Sequence, residues 1–258
     1  MRALNKERIV CRESTLSVLT DCAEPHAADQ ARPVLTLLHG MFRSSQVFVD
    51  LLAPYRDWAD VLIPDLPGMG ESEAPLRDGL NAISDEVARL IERRIPGRQL
   101  ILLGESAGGI IALSCCAGRL PVTALILLDP PLSMSKQWVI QRNCLGVSAR
   151  GHSWFARTLA NVLAGVNCDS GELQERIYYH LFEHLAVPCL ILTGDIPLMP
   201  VRAVKGVPNC FDAVDAFIVR SLAPDCRIAN LANCGHLVYA DGGQRCHDLI
   251  HGFVAGLY

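Results

Sequence analysis

Leu102-Leu103-Gly104-Glu105-Ser106-Ala107-Gly108-Gly109 joins an apolar run, Gln99 to Leu103, to a stretch of small residues, Ala107 to Ala117. The first reads as a buried strand and the second as a helix, so this G-x-S-x-G falls on a strand-to-helix turn. A serine on so tight a turn takes a strained backbone conformation, and the glycines two residues to either side relieve the crowding around it. Its hydroxyl then projects above the sheet at the amino end of the helix. Ser106 is therefore a candidate nucleophile. The bland reading of the same residues is an ordinary glycine-rich turn.

Working outward, short apolar runs alternate with helical patterns. Val34–Leu38, Val61–Ile63, Val122–Leu128, Val187–Thr193 and Cys226–Leu231 read as strands. Gln46–Tyr55, Leu80–Arg94, Phe211–Leu222 and Gly243–Leu257 read as helices; in the second, Ile83, Val87, Leu90 and Ile91 follow the i, i+4, i+7, i+8 spacing of one helix face. Arg8–Arg12 and Ser14–Thr20 look like a hairpin that precedes them. Apolar strands separated by helices imply an α/β fold with a mainly parallel sheet, eight-stranded, covered on both faces. Between Pro130 and Ala186 the pattern changes, with helical stretches near Ser153–Leu163 and Glu172–Leu185 and no strand between them. The expected organisation is a core of residues 1–132 and 186–258, with 133–185 as a short helical cap over the carboxyl ends of the strands.

Composition narrows the partners. Half of the 258 residues are apolar and 19% are charged, which suits a large packed core. The net charge of −4 argues against nucleic acid or an anionic membrane, both of which ask for a basic surface. No apolar run approaches the roughly 18–20 residues of a membrane span, and the charged amino end, Met1 to Arg8, lacks the apolar stretch of a secretion signal. Eleven cysteines is an odd number, and none forms a C-x-x-C. They read as small core residues in a reducing, cytoplasmic setting rather than as a disulfide framework.

Two further motifs stand where a serine nucleophile needs help. Leu37-Leu38-His39-Gly40-Met41 ends an early strand, and the backbone N–H of Met41, with that of Ala107, would form an oxyanion hole. Preorganised donors of this kind are often the largest single catalytic contribution. Near the carboxyl end, Asn233-Cys234-Gly235-His236 follows the last strand, and His236 can serve as general base in the chain order serine, acid, histidine.

With His39-Gly40, the loop Asp65-Leu66-Pro67-Gly68-Met69-Gly70-Glu71-Ser72, the turn at Ser106 and Gly235-His236 in this order, the chain resembles the α/β-hydrolase family. It is most similar to the branch of capped, cofactor-free hydrolases and esterases, from Pro33 to Tyr258. The resemblance implies the α/β-hydrolase fold and an acid after the seventh strand, in a segment like G-x-x-D-x-x-x-P. This chain departs from that pattern. It reads Thr193-Gly194-Asp195-Ile196-Pro197, with the aspartate directly after the glycine and a proline where the acid is expected. Asp195 is the expected acid, Asp129 after the sixth strand is the alternative, and Asp212 is a remote third whose bland role is a helix N-cap.

Other signals compete. His180-Leu181-Phe182-Glu183-His184 matches the H-x-x-E-H of inverted zinc peptidases, but the bland reading, an amphipathic helix with solvated histidines, is the stronger. Asp65, Gly68 and Gly70 read as turn formers rather than as a phosphate cradle. Trp138, Trp154 and Phe155 either line an acyl pocket or fasten the cap to the core. The expected activity is hydrolysis of a carboxylic ester of a small, fairly apolar molecule, with no metal or organic cofactor. Thioester hydrolysis, carbon–carbon cleavage and acyl transfer use the same residues. A ligand-binding protein that keeps the fold without turnover is the reading from another class. Neither substrate identity nor oligomeric state follows from the sequence.

Overall fold

The computed structural model describes residues 3–23, 32–77, 79–118, 120–149, 154–183, 185–199 and 207–257. The chain opens on the hairpin β1 (Asn5–Val10) and β2 (Thr15–Thr20), then β3 (Val34–Leu38). A 3-10 turn (Ser45–Leu51) and the short α1 (Ala53–Arg56) replace the single helix expected over 46–55, and lead to β4 (Asp60–Pro64). Then come α2 (Leu80–Arg94), β5 (Leu100–Glu105), α3 (Ala107–Ala117) and β6 (Ala124–Leu128). After an insertion holding α4 (Trp138–Ala149) and α5 (Trp154–Ala164), the alternation resumes with β7 (Cys189–Gly194), α6 (Ala213–Leu222) and β8 (Arg227–Leu231). The chain closes on α7 (Val238–Gly242) and α8 (Gln244–Ala255).

The strands form one eight-stranded sheet in the order β1-β2-β4-β3-β5-β6-β7-β8. β2 runs antiparallel to both neighbours, and the strands from β4 to β8 are parallel. Two-residue periodicity explains why both faces are covered. In β5, Leu100 and Leu102 join one apolar cluster while Ile101 and Leu103 join the other. β6 divides in the same way, Leu125 and Leu127 against Ala124, Ile126 and Leu128. Each face must then be dried by helices: α2 and α3 supply residues to the first cluster, α1, α7 and α8 to the second. The small residues of α3 let it lie on β5 and β6 with nearly its whole length buried. At the sheet's edge β1 is largely exposed and carries Lys6, Glu7 and Arg8, charges that discourage pairing with another chain.

Within the insertion, α4 begins earlier than any helix expected there, and the stretch expected as a helix over 172–185 is mostly irregular. Its regular part is a 3-10 turn, Tyr179–Phe182, preceded by isolated bridges Ser133–Ile177 and Val166–Leu173. Outward bonding explains the break: Gln174 N–H donates to Gly165 O at 2.7 Å and Tyr178 N–H to Leu132 O at 2.9 Å, so this backbone pairs with other segments rather than along a helix. Nine of the eleven cysteines are buried. No described helix is long and apolar enough to cross a membrane.

Candidate active site

Ser106 sits at the junction of β5 and α3 with φ 55° and ψ −121°, a conformation that an L-residue holds only under constraint. The constraint is visible. Ser106 N–H donates to Leu128 O of β6 at 2.9 Å, and its carbonyl accepts from Gly109 N–H at 2.9 Å. A Cβ on Gly104 would stand 2.4 Å from Gly108 O, and one on Gly108 2.3 Å from Leu38 O. Only glycine permits strand, turn and helix to approach so closely.

The serine Oγ lies 2.9 Å from His236 Nε2, and His236 Nδ1 lies 2.6 Å from Asp129 Oδ2. The carboxylate at the histidine is therefore Asp129, the alternative, and not Asp195. Asp129 follows β6 directly with φ 47°, fully buried. Its oxygens also accept from Thr193 Oγ1 (2.7 Å), Cys210 N–H (2.7 Å) and Phe211 N–H (3.1 Å). Three donors besides the histidine make a dry carboxylate affordable. Asp195 does something else: its Oδ1 accepts from Asn233 N–H at 2.7 Å and its own N–H donates to Cys234 O at 2.9 Å. It braces the loop that carries His236. With Asp195 Oδ1 engaged at Asn233, the imidazole Nδ1 is met by Asp129. Asp212 is the N-cap of α6, accepting from Val214 and Asp215 N–H in a capping box.

Burial pulls the His236 pKa down, but the hydrogen bond and charge of Asp129, helped by Glu105, more than offset it and leave the net shift upward. Cys210 completes a trio with Asp129 and His236 whose ligand atoms lie within 4.8 Å of one another. Burial and then the Asp129 charge hold its thiol far above the ordinary range, so it stays protonated. With Asp129 already accepting four hydrogen bonds, the trio is built around the histidine rather than a cation.

On the other side of the serine, His39 is fully buried and works as a strut. Its Nδ1–H donates to Gly40 O (2.8 Å), and Nε2 accepts from Leu66 N–H (2.9 Å). Burial lowers its pKa to about 4. Asp65 accepts from Ser45 N–H and Glu71 N–H, each within 2.8 Å, which makes it the organiser of its turn. Met41 follows, and Ala107 opens α3, where a helix leaves its first N–H groups unpartnered.

A cavity of about 180 Å³ opens beside Ser106 and His236, walled by Met41, Phe42, Ile140, Cys144 and Leu237. Ile140 and Cys144 are four apart on one face of α4, as is Asn143. Trp138 lies two residues before Ile140, on the other side of that helix, and is half exposed. It does not line this cavity. The side chains of Trp154 and Phe155 lie outside the described residues, as does His184. A larger hollow of about 370 Å³ between Arg157, Asn161 and Arg176 is lined by neither Ser106, His236 nor Asp129.

Residues 37–249 match the profile of the "Alpha/beta hydrolase family". The chain belongs to that family. Among curated relatives it is 38% identical over 90 residues to 2-succinyl-6-hydroxy-2,4-cyclohexadiene-1-carboxylate synthase of Pectobacterium atrosepticum, 34% of each chain. It is 35% identical over 83 residues to a magnesium-chelatase 30 kDa subunit of Rhodobacter capsulatus, 31% of this chain and 29% of that one. These matches span about a third of the relatives' length. Similar solved structures include a hydrolase of Bacillus subtilis (TM-score 0.73, 16% identity, 98% of this chain and 93% of that one). A carboxylesterase of the same organism has TM-score 0.72 and 14% identity, over 98% and 92% of the two chains. For an α/β-hydrolase, the departure in this chain is the position of the carboxylate at the histidine. The signal that could have found it is Leu127-Leu128-Asp129-Pro130, an acid at the end of a fully apolar strand.

Proposed function

We propose that this α/β-hydrolase cleaves a carboxylic ester, or a related acyl bond, of a small and fairly apolar molecule through an acyl-enzyme on Ser106. The observation that carries this reading is the unbroken line from Ser106 Oγ to His236 Nε2 and from His236 Nδ1 to Asp129. In it, Ser106 Oγ attacks the acyl carbonyl carbon while His236 Nε2 takes the hydroxyl proton. The carbonyl oxygen becomes an oxyanion, held by the N–H groups of Met41 and Ala107. The imidazolium then gives its proton to the leaving alkoxide, and the alcohol departs. Water, giving a proton to His236, attacks the acyl carbon; the acyl C–Oγ bond then breaks, the imidazolium returns that proton to Ser106 Oγ, and the acid is released. Asp129 fixes the tautomer with the proton on Nδ1 and stabilises the imidazolium. No step calls on a metal or an organic cofactor.

The cavity supports the substrate class. About 180 Å³ is below the usual span for drug-sized ligands, and its wall is mostly apolar. The insertion acts as a cap, since Ile140, Asn143 and Cys144 of α4 close the cavity from that side. An irregular acid loop would favour a non-catalytic reading, but here that loop has another use: Asp195 braces the histidine loop while Asp129 serves the histidine.

The test is intact-mass labelling with a fluorophosphonate, followed by a panel of short-chain esters and thioesters. One adduct, mapped to Ser106 and lost in Ser106→Ala and His236→Ala, is the expected result. A protein that stays unlabelled and leaves every ester intact would end the hydrolase reading in favour of a binding protein.

A further inference from the structure

Arg43 and Glu105 reach each other from a loop and a strand end, directly beside the serine. Arg43 lies in the loop after β3, two residues beyond the proposed oxyanion donor Met41. Glu105 ends β5 and precedes Ser106. An Arg43 guanidinium N–H donates to Glu105 Oε2 at 2.5 Å, and the side chains are 32% and 4% exposed. Both line the cavity that holds Ser106 and His236. Between Arg43 and the donor, Phe42 is held at φ +62°, an unfavourable conformation for a bulky residue. A Cβ placed on Gly40 would stand 3.4 Å from Ser106 Cβ, so this loop rides directly on the nucleophile turn. Such a loop needs a fastening, because a donor misplaced by a fraction of an ångström stabilises an oxyanion poorly.

We propose that the Arg43–Glu105 ion pair is a positioning element that fastens the Met41 loop to the nucleophile turn. The inference rests on the serine-hydrolase reading above and goes beyond it, since neither residue takes part in bond making. A nearly buried carboxylate is tolerated only with its counter-ion in place, so Glu105 fixes where Arg43, and with it the loop, must stand. The pair has a second consequence. Among the described residues, the groups that face His236 are Asp129 at the end of β6, Cys210 from the segment after β7, Glu105 and Ser106 from β5 and its turn, and Arg43 from the loop after β3. Glu105 favours the protonated imidazole and Arg43 opposes it. Removing either partner loosens the same loop but moves the histidine in opposite directions. General destabilisation does not give that crossed pattern.

The experiment measures kcat and KM for p-nitrophenyl acetate across pH in the wild type, Arg43→Met, Glu105→Gln, the double variant and Arg43→Lys. Each neutral single variant is expected to lose about tenfold or more in kcat with little change in KM. The acid limb of kcat/KM shifts to higher pH in Arg43→Met and to lower pH in Glu105→Gln. In the double variant the limb returns close to the wild-type position while kcat stays low, and Arg43→Lys keeps both near wild type. Limbs that do not move, or move the same way in both singles, overturn the proposal, as does an undiminished kcat in either. Glu105→Gln is isosteric and carries the test alone if Arg43→Met does not fold. Fluorophosphonate labelling separates the two levels. A labelled Ser106 with unmoved limbs removes the positioning role only, whereas an unlabelled Ser106 with no turnover of p-nitrophenyl acetate removes the hydrolase reading as well.

Discussion

His236 Nδ1 and Asp129 Oδ2 stand 2.6 Å apart across 107 residues of sequence, and the carboxylate is fully buried. The loop after β7, where the family pattern expects the acid itself, instead supplies Cys210 and Phe211 N–H groups to that carboxylate. Asp129→Asn keeps the shape but turns an amide N–H toward the ring, which favours the wrong histidine tautomer. We expect kcat to fall about 10³- to 10⁴-fold. Asp195→Asn keeps an acceptor for Asn233 N–H and is expected to cost less than about tenfold. Steady-state kinetics of the two variants on one ester decide the matter, and the reverse ranking would return the acid to Asp195.

The second expectation concerns pH. His236 must be neutral to take the serine proton, and Asp129 raises its pKa despite burial. The acid limb of kcat/KM is therefore expected above the ordinary histidine value of about 6.5. In stability the same raised pKa favours the protonated fold. Its contribution is complete below about 6.5 and fades as pH rises through the folded-state value. A pH–rate profile with its limb at or below about 6.5 would mean that burial, not Asp129, dominates the histidine's titration.

Much of this was legible in the sequence for a physical reason. The runs at Val34–Leu38 and Leu100–Leu103 are apolar because both faces of the sheet are covered, and the glycines around Ser106 are there because no Cβ fits. Those constraints act on neighbouring residues, so a linear reading finds them. The acid is different. Whether Asp129 or Asp195 meets His236 depends on how three loops from β6, β7 and β8 pack, and the one local sign, an acid closing the apolar run Leu127-Leu128-Asp129, does not decide between them. Trp138 failed similarly, since an aromatic in the insertion indicates neither which helix face it occupies nor where that face points. The helix expected over 172–185 gave way to backbone bonds with other segments, from Gln174 to Gly165 and from Tyr178 to Leu132.

His39 makes a prediction in the opposite pH window from His236. Buried between Gly40 O and Leu66 N–H, it is held neutral with a pKa of about 4. The unfolded chain takes up this proton near 6.5, the folded chain does not, and stability falls as pH drops between the two. The loss amounts to roughly 3 kcal/mol over the full window, about 1.4 kcal/mol per pH unit. Urea midpoints measured between pH 6.5 and 5, above most carboxylate titrations, read this loss together with that of His247, whose pKa burial also lowers, and the His39 variant separates the two. His39→Gln lowers the midpoint throughout and flattens its pH dependence; a slope as steep as wild type would assign the proton elsewhere.

Asp215 joins both ends of the insertion to the core. Its buried oxygens accept from Lys136 Nζ (2.7 Å) just before α4, from Tyr179 Oη (2.5 Å) near the insertion's end, and from Asp212 N–H (2.8 Å). Burial raises its pKa and the bonds to Lys136 and Tyr179 work against that rise. Asp215→Ala strands three donors at once, with Lys136 retaining only Asp212 at 3.1 Å. The expected cost is about 2–4 kcal/mol, against about 1 kcal/mol for Tyr179→Phe, which removes a single donor. Because the lost bonds hold the insertion rather than the sheet, amide exchange should quicken in α4 and α5 well before it does in β5 and β6. Since α4 also walls the cavity beside Ser106, the same variant should raise KM for a small ester more than it lowers kcat. Uniform acceleration of exchange through the sheet would mean that Asp215 supports the whole fold and not the insertion.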